Sequence, residues 1–370
     1  MKIKKSNATF SSIVGIGLKI KKLELNTGDK FLHLNRGVND VVGINLNSIM
    51  PMIPHNTKLF QVYAPNEGLE SLRESIVKEY FPEYANSTYE FYKNIFITPG
   101  GMPSLDLVMQ ILDINKVYFP HFYWGSYSKM ATIRNKQYDF YDGLSDGVFD
   151  KITKDDCIFI CDPNNPTGIK YDDDYLLSKI SELNKIGCTI IFDSPYRKLF
   201  YQDDFFNKLV KYDNVIITES FSKWIGLSGL RVGFIMSQNE AFNEELKIRL
   251  LYEFNGVSSA SQLIVEKILS TDEGKEAHKF FREKTVEHIN YNINYLIENN
   301  LLVESIYENT KPIGIFSIIN KTEDFLFANK IGAVGLDKFV NSNKERWSSY
   351  SRICVSVNHI QFKNYLKNII

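Results

Sequence analysis

Residues 219–231 read Glu219-Ser220-Phe221-Ser222-Lys223-Trp224-Ile225-Gly226-Leu227-Ser228-Gly229-Leu230-Arg231. A strand-like run, Val215–Thr218, leads into this segment. It holds one lysine among small and apolar neighbours, with an arginine eight residues further on. A lysine kept from water has a lowered pKa, and its neutral amine is a nucleophile toward an aldehyde. Ser220, Ser222 and Arg231 are the kind of donors that clamp a phosphate. The plainer alternative is a solvated lysine ahead of a glycine-rich turn. A lone Ser-Lys pair would favour that alternative; the whole segment does not.

Outward from Lys223 the chain alternates between two periods. Short apolar runs fall at Ile95–Thr98, Lys116–Phe119, Gln137–Tyr141, Cys157–Cys161, Thr189–Phe192, Val215–Thr218 and Val232–Met236. Helical patterns lie between several of them, at Pro103–Leu112, Ser126–Arg134 and Asp173–Ile186. Gly68–Phe81 adds an amphipathic helix with Leu69, Leu72, Ile76 and Tyr80 on one face. Continuously apolar strands separated by helices imply a mostly parallel sheet covered on both faces, an α/β fold with seven strands. Binding loops then gather at the carboxyl ends of the strands. After Phe234 the pattern changes to a long helical region, Glu240–Asn299, then strands at Gly314–Ile319 and Ser351–Val357 and a closing helix. The expected organisation is an arm over 1–45 that joins the small domain, a large domain over 46–260, and a smaller α+β domain over 261–370.

Four further motifs sit where such loops belong. Asp162-Pro163-Asn164-Asn165-Pro166-Thr167-Gly168 closes the Cys157–Cys161 strand and offers the Asn165 amide from a tight loop, although such a run is often only a turn. Asp193 ends the Thr189–Phe192 strand, and Tyr196 follows three residues later. A carboxylate closing an apolar strand is costly unless it meets a cation, the alternative being a surface aspartate that caps a turn. Thr98-Pro99-Gly100-Gly101-Met102-Pro103 joins a strand to a helix, where glycines let backbone N–H groups approach an anion. Arg352 lies within an apolar strand, where it needs a partner: a substrate carboxylate, or a structural salt bridge.

Composition excludes some partners. The net charge of -1 over 370 residues gives no basic excess for nucleic acid or an anionic membrane. No window approaches the roughly 20 apolar residues of a membrane span. Ile13–Leu18 is interrupted by glycines and closed by Lys19, too short for a signal-peptide core, so the expected location is the cytoplasm. The four cysteines lie in apolar runs with no CxxC pair; Cys157 and Cys161 are poorly spaced for a metal site, and buried free thiols are expected.

Taken in order, these motifs resemble the fold-type I, pyridoxal 5′-phosphate (PLP)-dependent aminotransferases of class I/II, in particular the aspartate and histidinol-phosphate aminotransferase branch. The resemblance covers nearly the whole chain and includes Tyr63-Ala64-Pro65-Asn66-Glu67-Gly68 and the arm motif Leu34-Asn35-Arg36-Gly37-Val38-Asn39-Asp40. It implies a homodimer with active sites at the interface. By position it implies that Lys223 carries the Schiff base and moves the Cα proton, and that Asp193 keeps the pyridine nitrogen protonated. Asn165 and Tyr196 would hydrogen-bond the ring O3′. Gly100, Gly101, Met102, Ser220, Ser222 and Arg231 would hold the phosphate, with Tyr63 reaching in from the partner subunit. Trp124 would stack on the ring, with Phe122 as the alternative, because the spacing from Pro120 is two residues longer than in relatives. Gly37, Asn165 and Arg352 would take the α-carboxylate.

Two positions depart from the family pattern. Arg36 stands where a small or aliphatic residue usually precedes the arm glycine, either near the substrate side chain or paired to a protein carboxylate or solvent. Met102-Pro103-Ser104 replaces a more usual polar-Gln-Ala run, and the Pro103 nitrogen cannot donate. The expected reaction is amino-group transfer between an L-amino acid and a 2-oxo acid. Elimination, decarboxylation or oxidation on the same scaffold is the alternative. A non-catalytic regulator would add a DNA-binding module, for which no extension or basic patch is seen.

Overall fold

In the computed structural model, which describes residues 1–54, 57–87, 90–145, 147–308 and 310–370, all seven expected strands pair into one sheet. After β1 (Leu32–His33) these are β2 (Ile95–Thr98), β3 (Lys116–Pro120), β4 (Gln137–Tyr141), β5 (Cys157–Cys161), β6 (Thr189–Asp193), β7 (Val215–Ser220) and β8 (Gly233–Ser237). The order across the sheet is β2-β8-β7-β6-β5-β3-β4. Strands β4, β3, β5, β6 and β7 run parallel, while β8 is antiparallel to both β2 and β7.

Alternation along the inner strands divides two apolar layers. Ile158, Ile160, Ile190, Phe192 and Ile217 enter one layer. Cys157, Phe159, Ile191 and Ile216 enter the other, with Leu105, Val108 and Tyr127 from the helices beside it. Each fully buried aliphatic or aromatic side chain contributes about 1.5–3 kcal/mol relative to exposure, so both faces are strongly specified. The helix Asp173–Ile186 starts on Asp172, whose carboxylate accepts from the amides of Asp174 and Tyr175.

The region 240–299, read from sequence as one long helical stretch, is three helices: Glu240–Phe254, Ser259–Ser270 and Asp272–Glu298. Asn255 takes a left-handed conformation (φ 49°), and Ser258 and Thr271 accept from Ser261 and Gly274 amides as new N-caps. Those cap residues are polar positions that a helical period runs straight through. Beyond them, β9 (Phe316–Ile319), β10 (Ile331–Gly332), β11 (Val334–Gly335) and β12 (Ser351–Cys354) build the smaller sheets. The order β11-β12-β9 is antiparallel, and β1 pairs in parallel with β10, which ties the N-terminal segment to the C-terminal part. Helix α1 (Ser12–Thr27) also packs there, with Ile20 fully buried. Among the described residues no helix is long and apolar enough to cross a membrane.

Candidate active site

Register puts the motifs on one rim. Thr98 of β2 and Ser220 of β7 both pair with Gly233 of β8, in one row across three strands. Because β8 runs against its neighbours, Arg231 just before it lies beside Gly100 just after β2. A Cβ on Gly100 (φ 102°) would stand 2.4 Å from Arg231 Nη2, and one on Gly101 would stand 3.2 Å from Ser220 Cβ. Only glycine permits both that backbone angle and that approach. Ser220 and Ser222 hydroxyls are 2.9 Å apart, and Arg231 Nη1 donates to Ser222 Oγ at 3.4 Å. Gly101, Met102, Ser220, Ser222 and Arg231 all line one cavity of about 360 Å³.

The next row pairs Cys161 with Asp193 and Asp193 with Thr218. Asp193 is therefore not a surface cap but 5% exposed, and it faces the same cavity. Its carboxylate accepts from the Tyr127 hydroxyl and, at 3.3 Å, from Thr218 Oγ1. Burial raises its pKa to about 6 against the pull of those two donors. It has no cationic partner among the described residues. Tyr127 and Thr218 escape a motif-based reading; the visible signal for Thr218 is its parity with Ser220 on β7, and for Tyr127 its place one helical turn after Trp124.

Lys223 stands on the short helix Phe221–Trp224, which is capped by Ser220 Oγ accepting from the Ser222 amide. Its amine enters the cavity and donates to the carbonyl of Gly37. Burial lowers its pKa to about 8, with Arg231 and Arg352 acting in the same direction. Half-buried, with its amine in the cavity and bonded to the arm, it is not the solvated lysine of a plain turn. Asn39 Nδ2 donates back to the Lys223 carbonyl, and Asn39 Oδ1 accepts from Ser356 Oγ at 2.6 Å. The arm motif is stitched to the lysine on one side and to the chain beyond β12 on the other.

Arg352 is 1% exposed, sandwiched between the rings of Phe316 (4.2 Å) and Phe339 (4.7 Å). Its Nη1 donates to Asn165 Oδ1 at 3.1 Å, its Nη2 to the Asn35 carbonyl at 2.5 Å, and its Nε is buried without a partner. Burial lowers its pKa to about 10. No structural salt bridge accounts for it: the arginine ion pairs among the described residues belong to Arg134, Arg197 and Arg249. Asn165 Nδ2 lies 3.3 Å from the Tyr196 hydroxyl, which burial holds well above the usual phenol range.

Trp124 lines the cavity, its ring 5.6 Å from Tyr127 and nearly perpendicular to it, whereas Phe122 turns away onto Trp347 at 4.9 Å. Arg36 and Gly37 line the cavity as well. Tyr63 does not; it is 81% exposed. All four cysteines are free and buried, and Cys161 adds its thiol to the cavity wall.

The arrangement has the donor set of a site for a phosphorylated aromatic aldehyde: an amine of lowered pKa, an anion cradle, a ring-facing aromatic and a buried carboxylate awaiting a cation. Comparison with known proteins agrees. The chain is 26% identical over 229 residues to aspartate aminotransferase of Pyrococcus horikoshii, covering 58% of each chain. It is 28% identical over 245 residues to a histidinol-phosphate aminotransferase of a Thermoanaerobacter species, covering 60% of this chain and 67% of that one. The first of these matches thus spans less than two thirds of its relative. In structure, a Thermus thermophilus aspartate aminotransferase double mutant superposes with a TM-score of 0.83 at 16% identity, covering 100% of this chain and 99% of the other, which shows a shared fold. The family model for aminotransferase class I and II matches residues 30–354, from the first strand through the arm motif and Lys223 to the strand of Arg352, and on that span the chain belongs to this family.

Proposed function

We propose that the cavity binds PLP covalently through Lys223 and that the protein exchanges the amino group of an L-amino acid with a 2-oxo acid. The observation that carries this reading is Asp193: a buried carboxylate with two hydroxyl donors and no cation among the described residues, facing the cavity that Lys223 enters. A protonated pyridine nitrogen is the cation it lacks. When bound, PLP supplies an electron sink for the pair left on the substrate carbon. Lys223 Nζ takes the proton from the substrate Cα. Asn165 and Tyr196 would donate to the ring O3′, and Trp124 would cover the ring. Gly100, Gly101, Met102, Ser220, Ser222 and Arg231 hold the phosphate, with Tyr63 of a second copy of the chain; its exposure supports that assignment. Arg352, Asn165 and Gly37 receive the α-carboxylate. On this reading the assembly is a homodimer, which we place in the cytoplasm.

The test is spectral. Protein loaded with PLP should lose its visible band on addition of a suitable amino acid and regain it on addition of a 2-oxo acid. Release of ammonia or carbon dioxide with no requirement for an oxo acid would overturn transamination.

Two consequences follow from the pKa directions. The neutral amine of Lys223 is the reactive form, so PLP capture by the apoprotein should accelerate as pH rises and level off above about 8, as stopped-flow absorbance would record. Tyr127→Phe removes the larger hydrogen-bond support of the Asp193 carboxylate and should raise that carboxyl further. PLP affinity, measured by equilibrium dialysis at pH 7, should fall by about 10-fold, the worth of one hydrogen bond to a charged group. An unchanged affinity would remove Tyr127 from the site.

A further inference from the structure

Four cations line the cavity, Lys223, Arg231, Arg352 and Arg36, against one carboxylate, Asp193. The reading above gives three of the cations an occupation: the amine nucleophile, the phosphate and the α-carboxylate. Arg36 has none, and among the described residues it is in no ion pair, unlike Arg134, Arg197 and Arg249. The sequence left open whether a protein carboxylate or solvent satisfies it, and the residue, although exposed, borders the cavity. Within the described chain no carboxylate does.

Its backbone is fixed on both sides. The carbonyl of Asn35 accepts from Arg352 Nη2, and the carbonyl of Gly37 accepts from Lys223 Nζ. Arg36 therefore sits on the main chain between the anchor of the carboxylate arginine and the anchor of the reacting amine. Its side chain is placed by α1. A Cβ on Gly17 would stand 2.9 Å from Arg36 Nη2 and 3.1 Å from Arg36 Nε, so the guanidinium lies directly on the helix backbone at that glycine. Ile13 and Val14, one turn earlier on the same face, line the cavity too. Gly17 is buried in the middle of a helix, where glycine weakens the element; the seat it leaves for the guanidinium is a physical reason for its presence. The Asn35 amide donates to the Ile13 carbonyl at 3.4 Å and ties this seat to the arm.

We infer that Arg36, seated on Gly17, binds an anionic group on the substrate side chain, and that the protein selects amino acids carrying a side-chain carboxylate or phosphate. A planar guanidinium offers a fork of donors to either group. The inference rests on the amino-acid reading of the cavity, and its test separates the two.

Wild type, Arg36→Met and Gly17→Ala should be loaded with PLP and given L-aspartate, L-glutamate, O-phospho-L-serine, L-alanine and L-leucine singly, with the decay of the visible band followed. In wild type one of the three anionic amino acids should react fastest, and which one identifies carboxylate or phosphate. For Arg36→Met the ratio of kcat/KM for that amino acid to kcat/KM for L-leucine should drop by about 10- to 100-fold, the value of a charge-assisted hydrogen-bond pair, with the loss in KM. Gly17→Ala, which keeps the charge and displaces it, should lower the same ratio in the same direction. A parallel readout needs no turnover: calorimetry with the diacid glutarate and the monoacid valerate, on apoprotein and PLP-loaded protein. Glutarate should bind wild type more tightly than valerate, and Arg36→Met should erase the difference. An unchanged ratio in both variants, fastest reaction with a neutral amino acid, or equal binding of the two acids to wild type would overturn the assignment of Arg36. Absence of any visible band in wild type would instead overturn the PLP reading, leaving the diacid comparison to judge Arg36 alone.

Discussion

Lys223→Ala is expected to abolish the visible band of PLP-treated protein and to lower amino-group exchange on the order of 10⁴-fold or more. The same amine both attaches the cofactor and carries the proton at Cα, and acid–base work alone contributes about 10²–10⁴-fold. The variant should fold normally. Among the described residues the Lys223 amine makes no ion pair, and its side-chain hydrogen bond ends on the Gly37 carbonyl. Burial already penalises its charged form below about pH 8. Circular dichroism and thermal melting should therefore match or exceed those of wild type, while activity does not recover with added PLP. A variant that keeps the band and one tenth of the activity would show that another amine does this work.

Asp193→Asn should separate stability from catalysis. An amide is nearly isosteric but cannot hold a proton on a pyridine nitrogen as a carboxylate does. Breaking one half of a buried charge pair costs about 3–5 kcal/mol, a loss of roughly 10²–10⁴-fold in kcat/KM. Without cofactor the effect has the opposite sign. Burial raises the Asp193 pKa from 3.8 to about 6. In that window the folded state keeps a proton that the unfolded chain has released, so stability falls as pH rises and stays reduced above about 6. Removing the carboxylate removes this cost. Apo Asp193→Asn should melt no lower than apo wild type at pH 7.5, and PLP should stabilise wild type far more than the variant. Equal stabilisation of both proteins by PLP would place the ring nitrogen away from residue 193.

The large sheet was legible because its inner strands are buried on both faces and hence apolar without interruption. Burial of every residue in β5 and β7 leaves a period that no helix imitates. The motif residues were legible for a related reason. Gly100, Asp193, Ser220 and Lys223 are each odd for their setting, and each lies at the end of a strand or within three residues after it, where a parallel sheet concentrates its loops. The division of 240–299 into three helices was not legible, because Asn255, Ser258 and Thr271 are ordinary surface types until the chain turns at them. Tyr127 and Thr218 stayed hidden for another reason. They touch Asp193, one across a strand pair and the other from a helix 66 residues away in sequence, and no local pattern marks such a contact. Which of Trp124 and Phe122 lines the cavity was hidden because it turns on a contact distant in sequence: Phe122 packs on Trp347 of the short helix Lys344–Trp347.

The most direct measurement is chemical trapping. Protein incubated with PLP should be reduced with borohydride, digested and mapped by mass spectrometry. The cofactor should appear on the peptide that carries Lys223, with the label lost in Lys223→Ala. Label on other lysines with position 223 unmodified, or no stable label at all, would contradict it.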